Sequence, residues 1–547
     1  MIQLARIQNR LVVGAKWLFV FFVAALFLWG IALGNVPLRD WDEATRALVA
    51  REIYRTGNWL YPTLQGQPYL LKPPLMDWLI ALSYKIGGVG EFTTRLPGAV
   101  LTACGVPLLY LLARELFREQ LPAIFSAGVY LTLLPVVRHG RLAMLDGMAV
   151  SFFLLSLLCL LKSYLDRRWA LGVGFGLGLI AFTKGLLMIP LGAIAVIFLL
   201  ITRQFLILRN AYFWLGIILG NLPVVAWYIA QWQHYGTTFL QVHFQGQGLE
   251  RISEGVEGNS APAWYYLLEL LKYTWPWLLF WPGGLYLAWK KRRTHWGILI
   301  LLGTVGYLGI ISLMRTKLPW YIMPLYPFFT LAVAVQLSQL WQKNNKYPQI
   351  LAWLLGFIAV AAVGGCTYFI VADPQPVLII MALVVMLMMG LAAWQVKQNN
   401  RTFIPILLLG MYLTLGLLMA STSWLWELNE AFPVKPVAAL IRQKTELGAI
   451  VYTSFGYRRP SLDFYSDRRV VPADRVKLQQ LWSTRPYLLL DGSTLEILNL
   501  PGSVSLGMAE GFTLVAPRTK ATQLTQHHLD TSQLSLSLST FIDDVFS

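Results

Sequence analysis

Three carboxylates lie close together just after the first apolar segment of the chain. They are Asp40, Asp42 and Glu43, and an amphipathic run over 44–54 follows them. Low-dielectric surroundings can raise the pKa of a carboxyl group toward neutrality, and the group can then act as a general base. Acidic residues also suit the first turn of a helix, where the helix dipole favours negative charge. Both roles remain open for Asp42, whereas helix capping is favoured for Glu43 on these grounds.

A second group of residues that could do chemistry consists of cations. Lys72 stands before Pro73 and Pro74, and a proline holds the preceding residue in an extended conformation. A lysine fixed in this way can bind a lipid phosphate as a point charge, or it can simply reach toward the membrane surface. Other charged residues lie in short connections between apolar segments: Arg138, His139, Arg141, Asp146, Lys184, Arg315 and Lys317. Each alone could be a solvated loop residue, but together they indicate an anionic ligand such as a prenyl phosphate.

The composition shows what surrounds these groups. The chain has 547 residues, of which 56% are hydrophobic and only 13% are charged, a balance typical of membrane proteins. The net charge of +17 does not indicate nucleic-acid binding, because the basic residues form short tufts between apolar runs. The cysteines, Cys104, Cys159 and Cys366, stand inside apolar runs without a CxxC motif, so they are interpreted as packing residues.

Long apolar segments fill most of the chain. A membrane-spanning helix needs about 20 mostly apolar residues, and the sequence predicts about thirteen such helices. The first is interpreted as an anchor, because it is too long for a signal peptide and lacks a suitable cleavage site. The predicted segments are Trp17–Val36, Leu96–Ala113, Leu121–Val137, Gly147–Leu161, Trp169–Phe182, Gly185–Ile201, Ala211–Ala230, Trp275–Trp289, Trp296–Met314, Leu318–Trp341, Ile350–Val371, Pro376–Trp394 and Phe403–Leu425.

The distribution of lysine and arginine predicts how these helices are oriented. Alternate connections are rich in both residues, and such connections face the cytoplasm. The amino terminus is therefore expected inside, and the loops 37–95 and 231–274 and the tail from about 426 are expected outside. The tufts that define the inner side are Arg6, Arg10 and Lys16; Arg114 and Arg118; Lys162, Arg167 and Arg168; Arg203 and Arg209; Lys290 to Arg293; Lys343 and Lys346; and Lys397 and Arg401.

The tail differs in character from the rest of the chain. Gly448–Phe455, Tyr487–Leu490 and Phe512–Val515 are typical of short buried strands, and polar stretches separate them. We therefore predict a transmembrane catalytic domain over 1–425 and a soluble extracytoplasmic α/β domain over 426–547. The segment after about Thr519 has no clear core pattern, and a loosely held end is expected there.

Several short motifs, taken in order, resemble those of a known family. They are Asp42-Glu43 followed by Ala50-Arg51-Glu52 and Gly57-Asn58-Trp59; Pro68-Tyr69 with Lys72-Pro73-Pro74; Glu91-Phe92 with Arg95-Leu96-Pro97; Leu145-Asp146; Thr183-Lys184-Gly185; and Lys317-Leu318-Pro319. With this ordered set the chain resembles the GT-C glycosyltransferases, in the branch of the bacterial aminoarabinose transferases of lipid A and the protein O-mannosyltransferase relatives. The resemblance implies a GT-C fold, that is, a polytopic α-helical membrane protein, here with a C-terminal soluble α/β domain.

The resemblance also implies roles for individual residues. Asp42 would be the catalytic carboxylate, with Glu43 beside it as a second catalytic candidate. The substrate-binding candidates comprise two residues for the carrier phosphate, Lys72 and Arg251, two that shape the cavity, Asp146 and Lys184, and three others, Tyr69, Lys317 and Arg46.

Two departures from the family pattern bear on metal binding. Relatives commonly have an acidic residue before the Lys-Pro pair, where this chain has Leu71. Some have a histidine shortly before the arginine at 251, where this chain has Gly248. A metal site through these positions is therefore not predicted, and no cofactor is implied.

The implied function is that of an inverting glycosyltransferase in the bacterial inner membrane. The donor would be a polyprenyl-phosphate sugar, whose phosphate leaves as a stable anion and needs cations more than a proton donor. The acceptor would be a hydroxyl or phosphate of a lipid, glycan or protein, and membrane lipids but no nucleic acid are expected as partners. A polyprenyl-linked lipid transporter or flippase is the alternative, which predicts discontinuous helices and related halves. No internal repeat is evident, and a structural assembly protein would leave the outer-side charges unexplained.

Overall fold

The computed structural model describes residues 2–40, 42–255, 258–342, 346–426 and 432–518, with side chains from Gly14 onward except that of Leu249. The loosely held end predicted after Thr519 lies outside the described residues. The chain forms two compact units, of which the first comprises Met1–Val36, Ile53–Thr63 and Pro68–Trp424, and the second comprises Pro37–Glu52, Leu64–Gln67 and Leu425–Ser547. The sequence predicts a boundary at 425 with the whole first loop on the membrane side, whereas in the structure the start of that loop belongs to the unit of the tail.

The first unit is almost entirely helical. Helix α2 begins in the second unit and ends in the first, and a two-stranded hairpin follows it. The helices are α1 (Ile2–Gly30), α2 (Asp42–Thr56), α3 (Leu75–Gly87), α4 (Glu91–Ala103), α5 (Gly105–Phe117), α6 (Gln120–Leu131), α7 (Leu134–Arg141), α8 (Leu145–Lys162), α9 (Ala170–Lys184), α10 (Met188–Thr202), α11 (Ala211–Tyr235), α12 (Thr237–Leu240), α13 (Glu250–Ser253), α14 (Tyr265–Tyr273), α15 (Trp281–Lys290), α16 (His295–Leu301), α17 (Tyr307–Leu313), α18 (Tyr326–Gln342), α19 (Gln349–Val371), α20 (Pro376–Lys397) and α21 (Phe403–Ala420). Two segments are π-helical, π1 (Gln241–Leu249) and π2 (Leu302–Gly306), and the hairpin strands are β1 (Thr63–Leu64) and β2 (Gln67–Pro68).

Nine helical stretches within the described residues are long and apolar enough to cross a bilayer, and there are ten if α6 and α7, bent by 56°, form one span. The sequence predicts about thirteen spans. Each predicted segment that is not counted among these spans has a structural explanation. Helix α15 has only 10 residues, so it falls short of the required length. In the first helix, the part with described side chains, Gly14–Gly30, is apolar but shorter than the other spans. Two predicted segments fall in one continuous stretch, Arg167–Thr202.

That stretch contains a break at Gly185. It has 36 residues, and an unbroken helix of that length would be about 54 Å long, well beyond the roughly 30 Å of the hydrocarbon core. Helix α9 instead ends at Lys184, Gly185 adopts a φ of 50°, and α10 begins at Met188. Glycine reaches positive φ without the steric penalty of a Cβ atom, so it permits the break. Lys184 therefore stands at an interruption between two apolar helices.

Helix α9 is held directly against α11 by glycines on both helices. A Cβ added at Gly178 would lie 2.0 Å from the carbonyl oxygen of Gly220, and one at Gly174 would lie 2.1 Å from the carbonyl carbon of Gly216. Both distances exclude any side chain, so the two backbones touch. Close approach of small residues is a main source of helix association in lipid, where hydrophobic driving force is absent. This packing fixes the helix that ends at Lys184.

The second unit contains a five-stranded sheet flanked by helices. The strand order is β4-β3-β5-β7-β6. Strand β3 is parallel to β4 and β5, whereas β7 is antiparallel to β5 and β6. The elements are α22 (Val434–Lys444), β3 (Ile450–Thr453), α23 (Pro460–Ser466), β4 (Arg469–Pro472), α24 (Arg475–Leu481), β5 (Tyr487–Asp491), α25 (Gly492–Leu498), β6 (Ser503–Ala509) and β7 (Phe512–Pro517).

The central strand β5 carries the cores of both faces of this sheet. Leu489 packs in a cluster with Ile441 of α22, whereas Leu488 and Leu490 pack in a separate cluster with Leu498 of α25. Because successive side chains of a strand point to opposite faces, a strand covered on both sides needs a continuous apolar run. The run Tyr-Leu-Leu-Leu at the start of β5 supplies it.

Three of the five strands correspond to the segments predicted from the sequence, and two do not. Strands β3, β5 and β7 match the predictions, which confirms the α/β character of the tail. Strand β4 has four residues and ends in a proline. Strand β6 lies at the sheet edge and leaves several residues exposed. Both are edge strands, and a strand that is not covered on both faces needs no continuous apolar run, so their sequences carry little signal.

Candidate active site

A cavity of about 820 Å³ lies in the first unit and brings four predicted site residues together. Its charged lining residues are Lys72, Asp146, Lys184 and Arg251, and most of its other lining side chains are apolar. Pockets of this kind, apolar with a few convergent polar groups, are typical ligand sites. The combination of cations with an apolar wall suits an amphiphile that has an anionic head group.

Lys184 and Asp146 form a buried ion pair at the ends of two helices. The Lys184 Nζ atom lies 2.5 Å from Asp146 Oδ1, and the two side chains are only 13% and 4% exposed. Asp146 is in the first turn of α8, and Lys184 is the last residue of α9. Each charge therefore sits at the helix end whose dipole favours it. The pair fixes the geometry of this part of the cavity wall.

Lys72 is oriented by a neutral partner. Its Nζ atom donates to Gln247 Oε1 at 2.5 Å, so this contact links the proline-stiffened segment of Lys72 to π1. An amide oxygen carries no net charge, and the bond therefore places the ammonium group without neutralising it. Gln247 also lines the cavity. Nothing in the sequence singled it out, because the two residues are 175 positions apart.

Arg251 is fixed through both its backbone and its side chain. Its carbonyl accepts a hydrogen bond from the Thr316 N–H at 3.2 Å, and its Nη1 donates to the Tyr321 hydroxyl at 2.8 Å. Among the described residues, no acceptor pairs with its buried Nε atom. A buried N–H without a partner is costly, so this atom is suited to donate to a ligand. Guanidinium groups bind phosphate through two parallel N–H donors.

Tyr321 connects two of the cations, although the sequence analysis did not name it. Its hydroxyl accepts from Arg251, and its ring centroid lies 5.1 Å from the Lys184 Nζ atom. Its backbone carbonyl accepts from the Tyr307 hydroxyl at 2.8 Å. The only signal that could have found it is its position directly after the Lys317-Leu318-Pro319 motif.

Two further substrate-binding candidates are not among the lining residues of this cavity. Lys317 is 5% exposed, and its ammonium donates to the carbonyls of Ile311 at 3.0 Å, Ser312 at 2.8 Å and Met314. It therefore caps the carboxyl end of α17, where a cation is favoured. Tyr69 is 3% exposed. The structure gives these two predictions no support from geometry.

The remaining candidates belong to the second unit. Asp42 is the first residue of α2 and is partly exposed, and no described group pairs with its carboxylate. Glu43 is 1% exposed, and its Oε2 accepts from the Arg39 N–H at 2.9 Å. Arg46 is 2% exposed within the same helix. Glu43 thus secures the start of α2, as its helix-capping interpretation predicts, whereas the Asp42 carboxylate is available for chemistry.

The third carboxylate of the early loop, Asp40, holds that loop to the tail inside the second unit. Its Oδ2 lies 2.7 Å from Arg459 Nη1, and its Oδ1 accepts from both the N–H and the hydroxyl of Ser461, at 3.0 and 2.5 Å. Arg51 of α2 donates to the Phe464 carbonyl at 2.8 Å and pairs with Asp467 at 3.3 Å. These bonds explain why the loop and the tail form one unit.

The other arginines that the sequence assigned to an anionic ligand do not line this cavity. Arg141 donates to the carbonyls of Ile31 at 2.5 Å and Met419 at 3.3 Å. Arg138 donates to the Trp424 carbonyl at 2.7 Å, and Arg315 is exposed. The last four carbonyls of a helix lack intrahelical partners, and Arg141 donates to one of them, that of Met419 in α21.

The chain is similar to known glycosyltransferases. The family model described as dolichyl-phosphate-mannose-protein mannosyltransferase matches residues 71–229. The undecaprenyl phosphate-alpha-4-amino-4-deoxy-L-arabinose arabinosyl transferase 1 of Pseudomonas fluorescens is 28% identical over 452 residues, which cover 78% of this chain and 80% of that protein. The corresponding transferase of Erwinia tasmaniensis is 30% identical over 362 residues, or 63% and 64% of the two chains.

The fold has a close counterpart among solved structures. The crystal structure of ArnT from Cupriavidus metallidurans bound to undecaprenyl phosphate aligns with a TM-score of 0.75 at 20% identity, covering 92% of this chain and 98% of that one. The apo state of the same protein aligns equally well, with a TM-score of 0.75 at 21% identity. These findings confirm the resemblance stated from the sequence motifs. The chain is a multi-pass inner-membrane glycosyltransferase with a GT-C fold, and it is aminoarabinose transferase-like.

Proposed function

We propose that this enzyme transfers a sugar from an undecaprenyl-phosphate donor to a hydroxyl or phosphate acceptor on the outer face of the inner membrane. The observation that carries the proposal is the cavity that joins Lys72, Lys184 and Arg251 to an apolar wall. A second cavity of about 450 Å³, lined almost entirely by apolar side chains, shares Leu186 and Phe244 with it. Together the two spaces suit a phosphate head group with an attached prenyl chain.

The cations would act on the leaving group. When the sugar is transferred, the bond between its anomeric carbon and the phosphate oxygen breaks, and the carrier phosphate gains negative charge. Lys72 and Arg251 can stabilise that charge, because both cations line the cavity and are held there by Gln247 and Tyr321. Fixed donors aimed at developing charge are an effective source of catalysis. Lys184 is paired with Asp146, so its role is to hold the wall rather than to supply most of the charge.

Asp42 would be the general base. It would take the proton from the acceptor hydroxyl as the acceptor oxygen attacks the anomeric carbon, and this direct displacement inverts the anomeric configuration. The support for Asp42 over Glu43 is that the Glu43 carboxylate is buried and holds the Arg39 N–H. A phosphate acceptor that is already ionised would make the base less important.

The activity is tested with purified protein and a labelled donor. The relatives are named for undecaprenyl phosphate-alpha-4-amino-4-deoxy-L-arabinose, so this donor is the first to test, with lipid A, glycan and peptide acceptors in parallel. Acceptor-dependent release of undecaprenyl phosphate supports the proposal. Movement of intact donor across vesicle membranes without cleavage would contradict it and favour the flippase alternative.

The orientation is a separate part of the proposal. The lysine and arginine tufts favour a cytoplasmic amino terminus and an extracytoplasmic tail. Gly492 begins α25, and a cysteine placed there in a variant without the three native cysteines should react with an impermeant thiol reagent in intact spheroplasts. Labelling only after lysis would reverse the orientation.

A further inference from the structure

A buried pair, His243 and Tyr228, lies where three segments of the cavity wall meet. His243 is 2% exposed. Its Nε2 atom lies 2.6 Å from the Tyr228 hydroxyl, and its Nδ1 lies 3.3 Å from the carbonyl oxygen of Leu70. A carbonyl can only accept, so Nδ1 carries the proton, and Nε2 of the neutral ring accepts from the tyrosine O–H. Burial lowers the pKa of His243 to about 4, which keeps the ring neutral at physiological pH.

The first segment is the one that carries Lys72. Leu70, whose carbonyl accepts from His243, stands two residues before this lysine, and the prolines after it stiffen the chain. The second segment is π1 together with α13, which carry His243, Gln247 and Arg251. Two cross-links therefore join the first two segments, one from His243 to Leu70 and one from Lys72 to Gln247. The relative position of Lys72 and π1 is fixed at two points.

The third segment is the break that follows Lys184. A Cβ added at Gly185 would lie 3.1 Å from the Tyr228 hydroxyl and 3.2 Å from His243 Nε2. The hydrogen-bonded pair thus packs directly against the turn that ends α9. Any displacement of the pair would change the space at this turn, and the neighbouring lysine would move with it.

Neither partner of the pair is among the residues that line the cavity of about 820 Å³. Around His243 the described contacts are aromatic rings, with Phe239, Tyr228 and Phe244 between 5.1 and 5.4 Å from its centroid. Tyr228 does line the second, apolar cavity of about 450 Å³, but neither residue lines the charged cavity proposed for the phosphate. The effect of the pair on the phosphate site must pass through the segments that it joins.

We infer that His243 and Tyr228 are positioning residues that set the placement of Lys72, Lys184 and Arg251 for the carrier phosphate. The inference rests on the proposed function, because it takes these cations as the phosphate site. The pair acts on the free enzyme, before the donor binds. Disturbing it therefore weakens carrier binding without removing any group that lines the phosphate cavity.

The test is a titration of detergent-solubilised full-length variants with undecaprenyl phosphate. Tyr228→Phe removes the O–H donor and keeps the ring, and the dissociation constant should rise about three- to tenfold. His243→Leu removes both hydrogen bonds and should raise it further. His243→Asn keeps a donor that can face the Leu70 carbonyl, so it should recover part of the loss.

The matched control is Tyr347→Phe. Tyr347 is 4% exposed, and its hydroxyl donates to the Leu340 carbonyl at 3.3 Å, outside the lining of the cavity. Its affinity for undecaprenyl phosphate should equal that of the native protein. In a Lys72→Ala background, the effect of Tyr228→Phe should shrink, because one of the groups that it positions is gone.

The outcomes separate this inference from the proposed function. If the native protein does not bind undecaprenyl phosphate, the proposed site fails and the inference fails with it. If the native protein binds and both Tyr228→Phe and His243→Leu bind equally well, only the inference is overturned. A lower unfolding temperature with unchanged affinity in both variants would show a purely structural role and would also overturn it.

Discussion

The cavity and the helix ends of the first unit both hold cations that the sequence placed on the outer side, but they use them differently. At the helix ends, Arg141 and Lys317 donate to backbone carbonyls. In the cavity, Lys72 and Arg251 donate to neutral side-chain oxygens of Gln247 and Tyr321. The cations at the helix ends stabilise the fold through backbone carbonyls, whereas these contacts of the cavity cations are with neutral side chains that orient them. A misplaced cation in a membrane protein therefore indicates a ligand only after the helix ends near it have been examined.

The same distinction separates the carboxylates of the second unit. Asp40 and Glu43 each accept hydrogen bonds that hold the early loop and the start of α2. Asp463 is buried against β4 and accepts from the Val470 N–H at 2.6 Å. Asp42 has no such partner among the described residues. Three of these four carboxylates are thus committed to structure, and one is available.

The largest expected effect comes from exchanging the available carboxylate. Asp42→Asn should lower turnover by at least about a hundredfold, the usual scale for loss of a general base, with carrier affinity unchanged. Turnover is measured with saturating donor and a hydroxyl acceptor. Glu43→Gln is the matched control, and its main effect should be a lower unfolding temperature. If Asp42→Asn turns over at a near-native rate, Asp42 is not the base.

The next effect concerns the two cations that would share the carrier phosphate. A hydrogen bond to a charged group is worth roughly 1.5–3 kcal/mol, so Lys72→Ala and Arg251→Ala should each weaken undecaprenyl-phosphate binding about ten- to a hundredfold. Because both would contact one group, the double variant should lose less than the sum of the two losses. Arg251→Lys should restore only part of the affinity, since a point charge cannot replace a bidentate contact. Strict additivity would place the two residues at separate sites.

The sequence predicted the cavity better than the helix ends for a physical reason. Lys72, Asp146 and Lys184 stand in short motifs, Arg251 is implied by its position in the family, and all four line one cavity. The partners of Arg141 are 110 and 278 positions away in the chain. No local pattern reveals which helix end will need a donor. The sequence therefore predicts a ligand contact for Arg141, as it does for the cavity cations.

The fold shows a similar limit. The buried strand β5 was evident from its apolar run, whereas the edge strand β6 was not. The early loop was assigned to the membrane domain, because its bonds to the tail join residues more than 400 positions apart, as in the Asp40 contact with Arg459. Gln247, Tyr321 and His243 were missed because their importance depends on what each contacts.

A smaller effect is expected when a capping cation is removed. Lys317→Met keeps much of the side-chain volume but leaves carbonyls of α17 without their donor. Unsatisfied buried acceptors cost about 1–3 kcal/mol, so the unfolding temperature should fall while turnover per folded molecule stays native. Thermal unfolding in detergent measures the loss. An unchanged unfolding temperature would mean that the cap contributes little to the fold.

The smallest effect concerns a buried carboxyl group in the second unit. Burial raises the pKa of Asp463 to about 7, although the Val470 N–H and Arg458 oppose the shift. The folded pKa lies above the unfolded one, so this group contributes stability that is fully present below about pH 4 and is lost progressively as pH rises through about 7. Asp463→Asn should flatten that dependence. Hydrogen-exchange protection of β4 in the full-length protein, compared at pH 5.5 and 7.5, is the measurement, and an equal pH response in both proteins would contradict it.

The most direct test of the distinction between cavity and helix ends is one side-by-side titration. Native protein, Arg251→Ala and Lys317→Met are titrated with undecaprenyl phosphate at one salt concentration, and monodisperse gel filtration confirms that each is folded. Arg251→Ala should bind about ten- to a hundredfold more weakly, and Lys317→Met should bind like the native protein. Equal losses in the two variants, or native affinity in Arg251→Ala, would contradict the assignment of the carrier phosphate to the cavity cations.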